Sequence, residues 1–452
     1  MSAIAPDLDR VGSSVPATPR PDGVRDAYAT ELQKLLAQLS TRLLMLVAAL
    51  GPFAFTAVLR IQSGTPSDAL FGVWVHSSGF AVSLVILGFA GSWGFPIIAG
   101  VLAGDLFASE DRYGTWKTIL TRSCTREDLF AGKLLAAGTL AVGLTLLLAA
   151  SSLLAGTLFV GAHALVNLSG VLTSPGRMFA LTVVSWLICL LPVLAYTSLA
   201  ILFSVATRNG ILGVLGPLLV ALLTQLLDLV GKGVIVHFLL IGSAFTSFYG
   251  LFTAHPFCGP LLVSSLVSLA WIAVALTASW RILRRRDFLA TAAGTTTRKP
   301  NWLTPIKVFG VAAAVTAVLA LACNLGPTGV TAYRVAATIG PEFDNVSLLQ
   351  QALIGRHAPA GAKLDVQPQC NRRGAKAVGP GDWNCNLYVY LPQPKSVPFQ
   401  VTSVEYDVSV EYDGCYKVQS PPAFIGGPTM VDARGQSVTN PLYIVYGCFN
   451  TL

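Results

Sequence analysis

The amino-acid sequence predicts an all-α polytopic membrane protein: a block of six spans, a seventh span, and a small β-rich extracytoplasmic C-terminal domain. Composition is the first reason. Of 452 residues, 53% are hydrophobic and 12% charged, against roughly 25% charged in a soluble domain. The second is the recurrence of uncharged runs of about 18 residues or more, each long enough to cross a hydrocarbon core of about 30 Å. The third is a change of character near the end. From Cys323 onward nine Lys and Arg face nine Asp and Glu. The whole net charge of +8 therefore lies in the membrane part, where it reports topology and gives no reason to expect a nucleic-acid partner.

Residues 1–28 are polar and carry Pro6, Pro16, Pro19 and Pro21, which reads as a disordered cytoplasmic tail. No apolar core precedes residue 43, so a cleavable signal peptide is not expected. Thr30 and Gln33 form a capping-box pattern. Leu32, Leu35, Leu36 and Leu39 follow at helical spacing. Residues 29–42 are thus expected to form an amphipathic helix at the membrane surface.

Spans are expected at about 43–59, 79–103, 134–159, 179–204, 211–229, 260–280 and 306–325, by the length that a crossing helix needs. With the N-terminus inside, eighteen Lys and Arg fall in cytoplasmic segments, and only Arg60, Arg177 and Lys232 fall in outer loops between spans. This bias sets the orientation. Residues 233–251 are uncharged and long enough to span, but a crossing there would put Arg284, Arg285 and Arg286 outside. A re-entrant or interfacial hairpin, broken near Gly242 and ended near Pro256, is the preferred reading.

Residues 288–305 form a mostly polar cytoplasmic linker before the seventh span, 306–325. The remainder, 326–452, is the extracytoplasmic domain. Val404, Tyr406, Val408, Val410 and Tyr412 alternate with polar residues, a strand pattern; Asn386–Leu391 and Leu442–Tyr446 are further strand candidates. Asp344 or Asn345 is positioned to cap a short helix through the following VSLLQQAL. Cys370, Cys385, Cys415 and Cys448 share this oxidising side, which suggests two disulfides with three connectivities open. The pairing preferred is Cys370–Cys385 with Cys415–Cys448.

Motifs for chemistry are missing. There is no GxxxxGK[ST] phosphate loop, no HExxH and no GxSxG. The five histidines are scattered along the chain and suggest no metal site. The spans are nearly free of charge, which argues against an intramembrane enzyme and against a pathway for small ions. No catalytic residue is assigned. Trp186, Tyr196 and Gln225 are candidates to line a substrate path, with packing as the plainer alternative.

The dense charge lies between the second and third spans. Nine of the 24 residues in Glu110–Lys133 are charged. Asp105 marks the end of the second span and Gly114 can stop a helix. Thr125 with Asp128 makes a capping pattern, and Glu127 and Asp128 suit the positive end of the helix that follows. On local chemistry alone, a solvated loop explains the stretch.

The order Glu110, Gly114-Thr115, Arg126, Gly132-Lys133 resembles the permease subunits of ABC transporters of the ABC-2 type. The layout of an amphipathic leading helix, six spans, an apolar outer segment before the sixth, and an Arg-rich exit at Arg281–Asp287 is similar too. The resemblance implies a six-span permease domain over 43–287. It implies a separate cytoplasmic ABC ATPase docked on a coupling helix over Glu110–Leu120. The residues so implied in coupling are Glu110, Asp111, Arg112, Tyr113, Gly114, Thr115, Trp116 and Lys117. ATP and Mg would be bound by that partner, not by this chain. The other partners implied are a second permease copy or paralogue, and membrane lipids. The function that follows is ATP-driven export of a hydrophobic or amphipathic cargo such as a drug, antibiotic or lipid, at the plasma membrane. The seventh span and the outer domain depart from the family pattern. They leave one alternative, a non-transporting sensor or anchor working through the outer domain.

Overall fold

The computed structural model describes residues 23–62, 66, 68–116, 125–228, 237–286, 329–359, 361–390 and 401–452, with single positions at 314, 318 and 321. Residues 1–22 of the expected tail, Lys117–Cys124, the linker and all but three positions of the expected seventh span lie outside the described residues; residues 23–28, expected to belong to the disordered tail, are helical.

A helix over Gly23–Ala37 (α1) comes first and is followed after Gln38 by Leu39–Ile61 (α2). Thr30 is not a cap. It sits inside α1, and its hydroxyl donates to the Asp26 carbonyl at 2.8 Å, the back-bond that serine and threonine make within helices. The Thr30–Gln33 pattern is therefore coincidental spacing. The buried stripe of α1 is Ala27, Glu31 and Leu35, so one of its inward residues is a carboxylate.

The second crossing runs as Gly79–Phe89 (α3), a π-helical turn over Ala90–Gly94, and Phe95–Ala103 (α4). A short helix, Ala108–Tyr113 (α5), ends at Gly114, whose φ of 67° is the left-handed conformation that glycine adopts without strain. Arg126–Phe159 (α6) opens with a complete capping box between Thr125 and Asp128. Pro175–Ile188 (α7) and Leu190–Thr207 (α8) make one crossing, and Gly210–Asp228 (α9) and Gly259–Arg284 (α10) complete the set. Among the described residues, six helical units are long and apolar enough to cross a membrane. The chain is thus a multi-pass membrane protein whose bundle is wholly helical.

Residues 237–258 do not cross. Two 3-10 turns, Gly242–Phe245 and Tyr249–Phe252, fold the segment back. Phe245 stacks 5.3 Å from Phe95 and 6.1 Å from Tyr196. At 1.5 Å per residue, Phe95 lies about 24 Å along its helix from Gly79, so this hairpin dips deep into the bundle.

Close helix contacts use small residues, because within lipid packing replaces the hydrophobic drive between helices. A methyl group on Gly213 of α9 would overlap the Gly104 carbonyl, and one on Gly79 would overlap the Gly156 backbone of α6.

The C-terminal domain is a five-stranded antiparallel sheet in the order β3-β4-β5-β6-β9. Its strands are Asp365–Arg372 (β3), Gly381–Tyr390 (β4), Val401–Val410 (β5), Cys415–Gln419 (β6) and Ile444–Cys448 (β9). Two small ribbons, β1-β2 at Leu165–Thr173 and β7-β8 at Thr429–Thr439, stand apart from it. Both disulfides, Cys370–Cys385 and Cys415–Cys448, join directly opposed residues of neighbouring strands. A helix over Ala332–Leu353 (α11) covers one face with Val335, Ile339, Phe343 and Val346 buried. It begins at Thr331, which caps the Arg334 amide, not at Asp344 or Asn345. Pro341 lies inside the helix and makes the sequence look like a boundary. Asp344 instead accepts from the Leu364 amide at 3.0 Å, and Asn345 donates to the Ser169 carbonyl at 2.8 Å. Burial pushes the Glu342 carboxyl well above the ordinary range, and Tyr416 donates to it at 2.5 Å.

The sheet domain seats on the end of the bundle formed by the α2–α3 and α6–α7 connections and the hairpin. Lys417 pairs with Asp68 at 2.9 Å, and the His237 ring stacks 4.5 Å from Tyr412. α1 and α5 lie at the opposite end.

The Gly104–Gly213 contact is directly testable. Gly213→Val should lower the thermal unfolding midpoint of the detergent-purified chain, at a cost of about 1–3 kcal/mol for overpacking. Gly143→Ala, whose methyl would meet nothing within 4 Å, should leave the midpoint unchanged or raise it slightly.

Candidate functional site

The end of the bundle away from the sheet is organised around one buried cation. Lys133 of α6 is fully buried. Its Nζ donates to Glu31 Oε1 of α1 at 2.8 Å, to Glu110 Oε1 of α5 at 3.1 Å, and to the Leu106 carbonyl at 3.1 Å. The Phe107 ring lies 5.6 Å away, within cation–π range. Lys34 adds a second cation, 2.5 Å from the same Glu110 oxygen. Thr115 donates to the other Glu110 oxygen. Two carboxylates and two ammonium groups thus form a neutral cluster, which suits a buried position.

Local sequence explains how the three elements meet. Gly132 lets α1 approach α6: a methyl group there would lie 2.6 Å from Ala27 Cβ and 2.8 Å from the Tyr28 amide. The adjacent Lys133 then reaches Glu31. The short α5 is held at its start by Ser204 of α8, whose hydroxyl accepts from the Phe107 and Ala108 amides at 3.1 Å each. Those amides have no partner inside the helix. Asp105 pairs with Arg112 at 2.6 Å and lies against Gly210 at the positive end of α9.

A second ion pair ties in the last span. Asp111 accepts from Arg286 at 2.9 Å and from the Trp116 indole at 2.9 Å. Trp116 is buried and packs over Phe107 at 6.3 Å. Arg126 donates to the carbonyls of Arg284 and Arg286 at 3.3 and 3.2 Å, and so closes the end of α10.

The residues implied in coupling therefore divide. Glu110 and Trp116 point inward and are buried, and Asp111 and Thr115 are half-buried and paired. Arg112, Tyr113 and Gly114 form an exposed ridge, with Tyr113 72% exposed. Lys117 lies outside the described residues. Of the path candidates, Trp186 and Tyr196 are buried in the core. The Trp186 indole donates to Ser83 at 3.0 Å, and Ser83 in turn pairs with Ser152 at 2.8 Å. Gln225 lines a cavity between the bundle and the sheet domain. Sequence reading missed Glu31, Lys34, Ser204 and Arg286 as members of the cluster. A glutamate on the apolar side of a leading helix was the available clue for Glu31. Among the described residues no group of His, Cys, Asp and Glu is arranged to hold a metal.

Residues 28–216 match the family model described as ABC-2 family transporter protein. The match bears out the resemblance seen in the order of Glu110, Gly114-Thr115, Arg126 and Gly132-Lys133. It covers Glu31, Lys34, Glu110 and Lys133, so all four charged members of the central cluster lie within the matched segment. It supports a transport permease. No curated protein matches the chain.

Removing the central cation should be severe. Lys133→Met removes the nearest cation from the buried Glu31 and leaves it only Lys34 at 3.9 Å, which should destabilise the protein by about 3–5 kcal/mol, read as a lower unfolding midpoint in detergent. Adding Glu31→Gln and Glu110→Gln should recover most of that loss, because no buried charge is then left unpaired.

Proposed function

We propose that this chain is the membrane subunit of an ATP-driven exporter, that it binds a separate cytoplasmic ATPase through the Arg112–Tyr113–Gly114 ridge, and that the buried cluster carries the ATPase's movement into the spans. The observation that carries the proposal is the bonding around Glu110. The residue next to the exposed ridge is locked to α1 and α6 by Lys34 and Lys133, and its neighbour Asp111 is locked to the end of α10 by Arg286. A push on the ridge therefore reaches three helices at once.

The excess of Lys and Arg at this end supports a cytoplasmic placement. By the same bias the disulfide-bearing sheet domain is extracytoplasmic, in keeping with where disulfides persist. ATP and Mg belong to the partner in this reading. A second copy or a paralogue of the chain completes the translocation path. The low charge of the spans favours a hydrophobic or amphipathic cargo over small ions.

The test is purification of the tagged full chain from its native membranes in mild detergent, with mass spectrometry of what accompanies it. The expected result is a stoichiometric ABC ATPase that is lost or reduced at least about fivefold, about 1 kcal/mol, in Arg112→Ala/Tyr113→Ala. Because both side chains are exposed, the unfolding midpoint should be unchanged. A chain that purifies intact without any ATPase would contradict the proposal and favour the sensor or anchor.

A further inference from the structure

α8 and α10 pack against each other and both end on the side of the bundle that carries α5. Each is followed by an arginine, Arg208 after α8 and Arg286 after α10. Arg286 is 6% exposed, yet only part of its guanidinium is in use. Nη1 donates to Asp111 at 2.9 Å. Nε and Nη2 are buried and have no hydrogen-bond partner among the described residues. A buried charged group with idle donors is costly, and an unsatisfied group of this kind calls for a water, an ion or a ligand to explain it. Nε and Nη2 lie on one edge of the guanidinium, so together they make one free fork.

Charge at this corner is also uncompensated. The one carboxylate bonded to Arg286, Asp111, is shared with the Trp116 indole. Burial pulls the Arg286 guanidinium below the usual arginine range, and Arg208 adds to the effect; Asp111 opposes both without cancelling them. Arg126 brings a third guanidinium through its bonds to the Arg284 and Arg286 carbonyls. The stretches expected on this side but outside the described residues, 1–22, 117–124 and 287–307, hold seven Lys and Arg against four Asp. They bring no negative excess.

The backbone gives a third, independent sign. Arg208 has φ 55°, at the cap of α8 where glycine is the usual residue. Among the described residues only Phe71 and Arg208 have a positive φ without being glycine. An arginine held against the backbone preference points to a use for its side chain. That side chain is exposed, and no hydrogen bond or ion pair holds it among the described residues.

We propose that Arg208 and Arg286 bind the phosphate of an anionic phospholipid. Arg286 follows α10, which ends at Arg284, and so lies at the level of lipid headgroups, where basic pockets between helices take such groups. The exposed Arg208 meets the phosphate first. A turn of the Arg286 side chain then offers Nε and Nη2, a planar fork that matches two phosphate oxygens. Because Arg286 also holds Asp111 of α5, an occupied site bears on the ridge. The exporter reading enters only in assigning the lipid to the cytoplasmic leaflet.

The purified full chain in mild detergent, without any ATPase, is titrated with phosphatidylglycerol and with phosphatidylcholine of the same acyl chains, and bound lipid is counted by native mass spectrometry. The expected result is one saturable phosphatidylglycerol site, with phosphatidylcholine at least about tenfold weaker. Arg208→Gly should weaken phosphatidylglycerol about fivefold or more. The lipid-free unfolding midpoint should stay the same or rise, because glycine adopts this φ without strain. Arg286→Lys keeps a cation for Asp111 but loses the fork, and should weaken the lipid by a similar factor. Arg25→Gln, an equal loss of charge on the exposed side of α1, should change nothing. Equal affinity for the two lipids, binding untouched by Arg208→Gly, or an equal loss in Arg25→Gln would each overturn the site. Complete displacement of the lipid by millimolar inorganic phosphate would overturn its assignment to lipid. Failure here with an ATPase still co-purifying would leave the exporter reading standing.

Discussion

The interaction on which the rest depends is the burial of the Lys133 ammonium among Glu31, Glu110 and the Leu106 carbonyl. An ammonium group withdrawn from water has a large desolvation cost, and only well-placed opposite charges and hydrogen bonds offset it. That requirement dictates geometry. α1 must lie against α6 closely enough for Glu31 to reach, which in turn requires glycine at position 132. The chain after α4 must turn so that α5 presents Glu110 inward, which leaves Arg112 and Tyr113 facing out. A buried ion pair of this kind adds little stability over an apolar replacement, and its best-attested use is to select one arrangement among several. Here the arrangement selected is a small exposed ridge with connections to the leading helix α1 and to the third and sixth crossings.

At the other end the requirements differ. The sheet domain has its own apolar core and two disulfides, and Cys415, Ile444, Tyr446 and Cys448 of β6 and β9 also pack into the core of the bundle. It docks as well through an ion pair, a ring stack and the Asn345–Ser169 hydrogen bond, and it roofs the cavity beside the π turn. The two ends are joined by the second crossing, which runs from the cavity at Phe89 and Ser92 to Glu110 at the charge cluster. That helix is also the one interrupted by the π turn. The ridge and the cavity therefore lie along one helical unit, which the π turn interrupts between them.

Much of this was legible in the sequence, and the limits have physical causes. Uncharged length revealed the helices that cross, because a crossing helix has few alternatives in lipid. The Thr125–Asp128 cap and the left-handed Gly114 were readable because they depend only on neighbours in the chain. The strands around Val404–Tyr412 followed from alternation, and the disulfide pairing matched the preferred one. The failures involve partners distant in sequence or competing local choices. Glu31 was not singled out, because Lys133, which donates to it, is 102 positions away. Pro341 suggested a helix boundary, yet α11 continues through it with its apolar face held on the sheet. The cavity between the sheet domain and the bundle was invisible because its described lining comes from six separate stretches of chain.

The account stands on the claim that the ridge next to Glu110 touches an ATPase. The most direct measurement is site-specific photo-crosslinking from that ridge in native membranes. A photoreactive amino acid incorporated in place of Tyr113 is irradiated, and the product is identified by mass. The account predicts a single adduct between this chain and an ABC ATPase, absent when the same group replaces Val431 in the sheet domain, which is 65% exposed. Crosslinks from position 113 to lipid alone, or to an ATPase equally from both positions, would contradict it.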